Sequence, residues 1–308
     1  MRLCSKLVEE LRCVLCESVV SFVTNKGHEV PKFTRRTQCF CEINRRLKIF
    51  FKLYFWRQRH LSTILREIIF VALPFFYIRE YDPSQKQIVL DEDTSKHIVQ
   101  VLRMKKGEKL NLTDGKGNLL TAEIIDDHKK HCRVKIIDSR LTIHDSRQIT
   151  IAISLLKNSS RFEWFLEKAT EIGIHEIIPL ICKRTEKQKF REDRMQHILI
   201  SAMLQSQQCW LPVLHTPIDY ELIFRLEEII HTSQKFIAHC IEEEKRNLAD
   251  LVNETLSSQV ILIGPEGDFT NEEVQLAIRN HFDAVSLGET RLRAETAGVV
   301  AATILKIS

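Results

Sequence analysis

The chain has 308 residues, 44% of them hydrophobic and 28% charged, with a formal charge of +4. These are globular values, which exclude a wholly disordered or collagen-like chain and leave room for two ordinary domains or one large one. The charge is uneven: residues 1–70 hold 14 Lys and Arg against six Glu and no Asp, a balance of +8, and the rest carries −4. Net charge therefore does not make the body of the protein a nucleic-acid binder, and any such site must be a local basic patch.

Residues 1–70 read as an atypical N-terminal extension, with apolar clumps, scattered arginines, one glycine (Gly27) and five of the nine cysteines. Cys13 and Cys16 form a CxxC and Cys39 and Cys41 a CxC, but the sequence between them lacks knuckle glycines, so no metal site is expected. A basic RNA-binding arm needs exposed charge, yet "LKIFFKLYFW" mixes that charge with apolar bulk prone to aggregate unless packed. A targeting extension is disfavoured by the six Glu and the lack of a cleavage pattern. The favoured reading is a false start: translation from upstream of a true start near Val71, which makes residues 1–70 dispensable. No apolar run reaches the roughly 18 residues of a membrane span, so no membrane partner is expected. The isolated Cys132, Cys182, Cys209 and Cys240 suit free thiols in a reducing compartment.

Over 73–140 the pattern predicts a small β-barrel-like domain. "FFYIRE" and "QKQIVLD" read as short strands. "DEDTSKHIVQVLRM" fits a short helix capped by Thr94 or Asp93, with Ile98, Val101 and Leu102 on one side. Two alternating stretches flank a turn centred on Asp114-Gly115, and "HCRVKIID" places Cys132, Val134 and Ile136 on one face. Over 147–308 the grammar changes. "ITIAISLL" is the near-continuous apolar run of a strand covered on both faces. Phe162, Phe165, Leu166, Ala169 and Ile172 follow at helical spacing, ended by Gly173. "HEIIPLIC", "FIAHC", "QVILIG" and "AVSLG" read as further buried strands, and helices are predicted over 191–208, 271–279 and 294–305. Strands alternating with helices imply an α/β layer fold with a mainly parallel sheet.

The sharpest chemical feature is Gly264-Pro265-Glu266-Gly267-Asp268-Phe269-Thr270, directly after the strand "VILI". Glycines at a strand end let backbone approach a ligand, and the carboxyl ends of parallel strands are where such folds bind small molecules. Thr270 and Glu273 have the spacing of a capping box. A second segment, "SLGETRLRAETAGVVAA", follows another strand, and its Arg291 and Arg293 could neutralise phosphate or order the loop. Taken singly, each segment could also be a plain glycine turn or a pair of surface arginines.

Together the two segments resemble the SPOUT methyltransferases, specifically the family that methylates N3 of a uridine in small-subunit (16S) ribosomal RNA, with its GPEGG-F-type loop and LG-x-x-x-LR-x-ET-A segment. This sequence departs at Asp268, where glycine is usual, and at Arg291, where an aliphatic residue is common. The likeness continues through Lys168, Ala169, Thr170, Glu171 and Gly173 of "KATEIG", through Arg184 and Thr185, and through Gln205, Ser206 and Pro212. Upstream, His97, Leu102, Arg103, Gly107, Asp114 and Gly115 match the family's PUA-like domain.

The resemblance covers about residues 73–308. It implies a PUA-like RNA-binding domain followed by an α/β methyltransferase domain with a trefoil knot, acting in the cytoplasm as a homodimer on 16S rRNA in the small ribosomal subunit. It implies S-adenosyl-L-methionine as methyl donor and no metal. Gly264, Glu266, Gly267, Leu287, Gly288 and Leu292 are the expected cofactor contacts. Arg291, Arg293 and Glu295 are expected to handle the uridine and its phosphate, with Glu295 either a proton acceptor or, preferably, a salt-bridge partner of Arg293. His97, Arg103, Lys168, Glu171 and Arg184 are the expected RNA contacts. A knotted ribose 2′-O-methyltransferase and an RNA-binding assembly factor with a decayed pocket are the rival readings.

Overall fold

The computed structural model describes residues 73–308 apart from 144–146, 187–188 and 242–244. The readings of residues 1–70, their cysteine pairs and the proposed start included, lie outside the described residues.

The first sheet is built from β1 (Phe75–Tyr77), β2 (Gln87–Val89), β3 (Lys109–Thr113), β4 (Asn118–Asp126) and β5 (Arg133–Leu141), in the order β1-β3-β4-β5-β2. β1 runs parallel to β3 and the other pairs are antiparallel. Period-two alternation sends Leu110, Leu112, Leu120, Ala122, Ile124 and Val134 into one core, with Cys132 beside them. At the β3–β4 turn the Asp114 carboxylate accepts from the Lys116 and Asn118 backbone N–H groups. Gly117 adopts φ +93, and a Cβ there would lie 2.2 Å from the Trp210 ring, so only glycine lets that indole seat on the turn. Leu211 N donates to Gly115 O and Thr113 Oγ1 to Cys209 O, joining the small sheet to the second layer.

Helix α1 spans Glu92–Lys96. Its cap is Asp91, whose carboxylate accepts from Thr94 N, rather than the expected Thr94 or Asp93. The chain then widens into a π turn over His97–Val101, which rotates the expected apolar side. Ile98 is fully buried, whereas Val101 is 67% and Leu102 44% exposed, so the three do not share a face.

The second sheet is entirely parallel, with elements β6 (Gln148–Ser154), α2 (Ser159–Ile172), β7 (Glu176–Ile181), α3 (Glu192–Gln205), β8 (Val213–Leu214), β9 (Ile218–Asp219), a 3-10 turn (Tyr220–Arg225), α4 (Glu227–Ile230), β10 (Gln234–Ala238), β11 (Arg246–Asn247), α5 (Leu248–Leu251), β12 (Ser258–Ile263), α6 (Asn271–Arg279), β13 (Asp283–Ser286) and α7 (Ala294–Ile307). Its order is β11-β13-β10-β12-β6-β7-β8, and β9 also pairs with β7. One face packs against α2, α3 and α7, the other against the 3-10 turn and α6, which explains the continuous apolar runs of β6 and β12. α2 ends where Gly173 turns left-handed at φ +84. α3 stops three residues short of the predicted end, as Gln207 takes φ +56. Thr270 and Glu273 form the expected capping box on α6. At Gly298 an added Cβ would sit 2.7 Å from the Phe165 ring, so α7 lies flush on α2.

Candidate active site

Three adjacent strands, β13, β10 and β12, end side by side, and two adjoining clefts open at their carboxyl ends. One, of about 390 Å³, is bounded by Ala238 to Cys240 at the end of β10, Lys245, and the Val285 to Leu292 segment at the end of β13. The other, of about 400 Å³, is bounded by Cys240, by Gly264, Pro265, Glu266 and Asp268 after β12, and by Arg161, Arg291, Arg293 and Ala294. Ala238, Cys240, Arg291, Leu292 and Ala297 border both.

The glycine loop is tied down on three sides. Glu266 Oε1 accepts from Lys157 N, 3.1 Å away, in the turn after β6. Arg184 Nη1 donates to Gly267 O at 2.7 Å, and the Arg184 stem lies 3.3 Å from where a Cβ on Gly267 would be. Asp268 takes the left-handed φ of +64 that a glycine would adopt freely. Its Oδ2 accepts from Cys240 N at 2.8 Å and its Oδ1 from Phe269 N at 2.9 Å. The departure from the glycine usual at this position thus binds the loop to the end of β10. Behind it, Glu273 accepts from both Lys183 N and Thr270 N, locking the loop that carries Arg184.

The second loop turns on Gly288 at φ +133, where an added Cβ would meet nothing within 4 Å. Ser286 Oγ donates to Gly288 O and accepts from Gly288 N, holding the turn closed. Leu292 is half-buried between the clefts, whereas Arg291 and Arg293 are exposed. Glu295 is 6% exposed in the first turn of α7. Its Oε1 lies 3.6 Å from Nε of Arg161, which enters from the first turn of α2. Glu295 therefore pairs with Arg161, not with Arg293 as expected.

The structure brings Gly264, Glu266, Leu287, Gly288, Leu292, Arg291 and Arg293 to the two clefts, with Gly267 and Arg184 bracing them. The other expected RNA contacts lie elsewhere. Lys168 Nζ reaches Glu167 at 2.8 Å and Glu171 at 2.9 Å beside a groove between α2 and α3, and these carboxylates hold its ammonium above the usual lysine range. His97 is exposed and edge-on to Phe76 at 5.7 Å, and Arg103 is exposed at φ +56, both in the small domain. Arg161 was not singled out in the sequence, and Cys240 only as a free thiol. Arg161 stands in "NSSRFEW", where helical periodicity draws the eye to Phe162 and leaves the arginine as one more polar residue.

A backbone-lined double cleft at the ends of parallel strands, with two exposed arginines, fits an elongated ligand with polar ends and an anionic acceptor beside it. Among the described residues no group of three His, Cys, Asp or Glu could hold a metal. No described helix is long and apolar enough to cross a membrane.

Comparison with known proteins points the same way. Residues 144–306 match the RNA methyltransferase domain family, and residues 90–137 match the RNA methyltransferase PUA domain. The chain is 28% identical over 230 residues to ribosomal RNA small subunit methyltransferase E of Rickettsia conorii, covering 73% of this chain and 91% of that one. It is 30% identical to the Synechocystis enzyme of the same name, covering 67% and 68%. Among solved structures, a probable rRNA-methyltransferase from Porphyromonas gingivalis superposes with a TM-score of 0.68 at 35% identity, covering 75% of this chain and 95% of that one. Ribosomal RNA small subunit methyltransferase E from Neisseria gonorrhoeae, bound to S-adenosyl methionine, superposes with a TM-score of 0.66 at 29% identity, covering 75% and 95%.

Proposed function

The chain belongs to the RNA methyltransferase family whose domain spans residues 144–306, and on that premise we propose that it methylates N3 of a uridine in 16S rRNA of the small ribosomal subunit, with S-adenosylmethionine as donor. The observation that carries this reading is the double cleft at the ends of β13, β10 and β12, built from the glycine loop and the Leu287 to Leu292 loop. Its open backbone at Gly288 suits the donor, whose sulfonium supplies an electrophilic methyl group. Gly264, Glu266, Gly267, Leu287, Gly288 and Leu292 hold the donor, chiefly through backbone. Arg291 and Arg293 handle the acceptor nucleotide.

Uridine N3 is protonated at neutral pH, with a pKa roughly 2 units above 7, so its proton must leave before or as the new bond forms. The N3 electron pair takes the methyl carbon, the carbon–sulfur pair stays on sulfur, and the N3 proton passes to solvent. Exposed arginines at the cleft favour the anionic base through which this runs. His97, Arg103, Lys168 and Glu171 provide RNA docking away from the reacting atoms, and Arg184 supports the RNA-facing edge through the glycine loop. The enzyme acts in the cytoplasm as a homodimer. The half-buried Val299, Val300 and Ile304 and the 78% exposed Ile307 of α7 support an apolar subunit contact. A trefoil knot, implied by the family likeness, fixes both loops around the donor.

The test is transfer of labelled methyl from S-adenosylmethionine into small subunits that lack the mark. The full chain labels small subunits and leaves large subunits unlabelled. Gly288→Val, which forces a β-branched residue to φ +133, binds the donor at least about tenfold more weakly and labels neither. Label confined to large subunits, or normal donor binding by the valine variant, contradicts the assignment.

A further inference from the structure

Arg161 and Glu295 make an ion pair that neither the glycine loop nor the arginine loop contains. Arg161 stands in the first turn of α2 and Glu295 in the first turn of α7, 134 positions apart, and the two helix starts meet beside the second cleft. The arginine borders that cleft with Gly264, Glu266, Arg291 and Arg293, and its side chain keeps 38% of its exposure. The glutamate does not border it. Glu295 has only 8% side-chain exposure and, among the described residues, its Oε2 has no hydrogen-bond partner.

A buried carboxylate with one bare oxygen is costly unless something repays it. The contact to Arg161 is a loose 3.6 Å at its nearest, from Nε, beyond hydrogen-bond length, so the guanidinium donors are not committed by hydrogen bonds to this carboxylate. A guanidinium held by its inner nitrogen keeps a planar fork for carbonyl or phosphate oxygens. The acceptor's imide has that chemistry: when N3 loses its proton, the negative charge spreads onto the two flanking carbonyl oxygens.

We propose that Arg161 faces the acceptor base and stabilises the charge left on its carbonyl oxygens when N3 deprotonates, and that Glu295 is the positioning residue that holds it there. The proposal rests on the N3 reading above. Arg291 and Arg293 sit on an exposed loop, whereas Arg161 is anchored on a helix packed through Phe162 and Phe165 into the core. A rigidly held cation close to the forming charge acts on the reacting base more than mobile ones do. Glu295 acts through Arg161 and takes no proton itself.

The test is single-turnover methylation of small subunits lacking the mark, with saturating S-adenosylmethionine, from about pH 6 to 9.5, a range that spans N3 ionisation. The wild-type rate rises with pH to a plateau whose inflection reports N3 ionisation in the complex. Arg161→Ala moves that inflection up by about one unit or more, the effect of removing a nearby opposite charge. It lowers the rate at neutral pH by at least about tenfold and leaves donor affinity by calorimetry within about twofold of wild type. Arg161→Lys keeps the charge, so its inflection stays near wild type while the plateau falls. Glu295→Gln slows the wild type but adds nothing to Arg161→Ala, because residues acting as one unit are not additive.

An unmoved inflection in Arg161→Ala, or a loss of donor binding there, overturns the role of Arg161. A double variant whose loss is the product of the two single losses overturns the positioning role of Glu295. Failure of the N3 reading is separately visible, because wild-type label would then appear on another atom of the nucleotide.

Discussion

At position 268 an aspartate does what a glycine does in the resembling family. Left-handed backbone costs most side chains about 1–2 kcal/mol, but Asp tolerates it better, and here two hydrogen bonds to Cys240 N and Phe269 N offset the cost. Asp268→Ala keeps the strain and loses both bonds, so it lowers stability by about 1–3 kcal/mol and weakens donor binding through the loosened loop. Asp268→Gly loses the bonds but relieves the strain, so it falls between alanine and wild type. Thermal melts with calorimetric donor titration check this, and an alanine variant as stable as wild type would contradict it. Individual residues were legible in the sequence where a backbone conformation demanded them, as at Gly173 and Gly288. They were not where a side chain works by reaching across the fold. The partners of Arg184 and Glu295 are 83 and 134 positions away, a distance no local pattern encodes.

Between elements, the β7–β8 junction carries a titrating pair. His215 Nε2 lies 2.5 Å from Glu176 Oε1, and Thr150 Oγ1 donates to Glu176 Oε2. The hydrogen bond His215 donates to Glu176 raises the His215 pKa, with the carboxylate charges of Glu176 and Glu228 adding to it against burial. Burial pushes Glu176 up, but the hydrogen bonds from His215 and Thr150 and the nearby histidine charges outweigh it and leave the carboxyl below its ordinary value. A raised histidine stabilises the fold fully below its unfolded pKa of about 6.5 and loses that contribution as pH climbs through the folded value. A lowered carboxylate stabilises above its unfolded value and loses that contribution as pH falls through the folded one. The His215 contribution to stability therefore declines as pH rises above about 6.5, and His215→Gln removes that part of the slope in urea titrations at fixed temperature. An unchanged slope would contradict the pairing. The longer elements were legible because their apolar pattern is strong, a continuous run in β6 and a helical spacing in α2. The two-residue strands β8, β9 and β11 are too short for a period, and the face of α1 was missed because the π turn after Lys96 interrupts the helical phase.

At the scale of the whole molecule, a small sheet is fastened to a parallel α/β layer through the β3–β4 turn, where Gly117 receives Trp210 and Gly115 O accepts from Leu211 N. The two clefts lie at the carboxyl ends of β13, β10 and β12, whereas the small sheet is fastened beside Leu211, just ahead of β8. The alternation of strand and helix made the layer legible, but the lateral strand order was not, since β10 enters between β12 and β13 through pairings that only the tertiary fold sets. The atom that receives the methyl group separates N3 methylation from ribose methylation. Small subunits lacking the mark, treated with the full chain and labelled S-adenosylmethionine, can be digested to nucleosides and resolved by mass spectrometry. Label is expected in 3-methyluridine from 16S rRNA. Label on a ribose 2′-hydroxyl would contradict it.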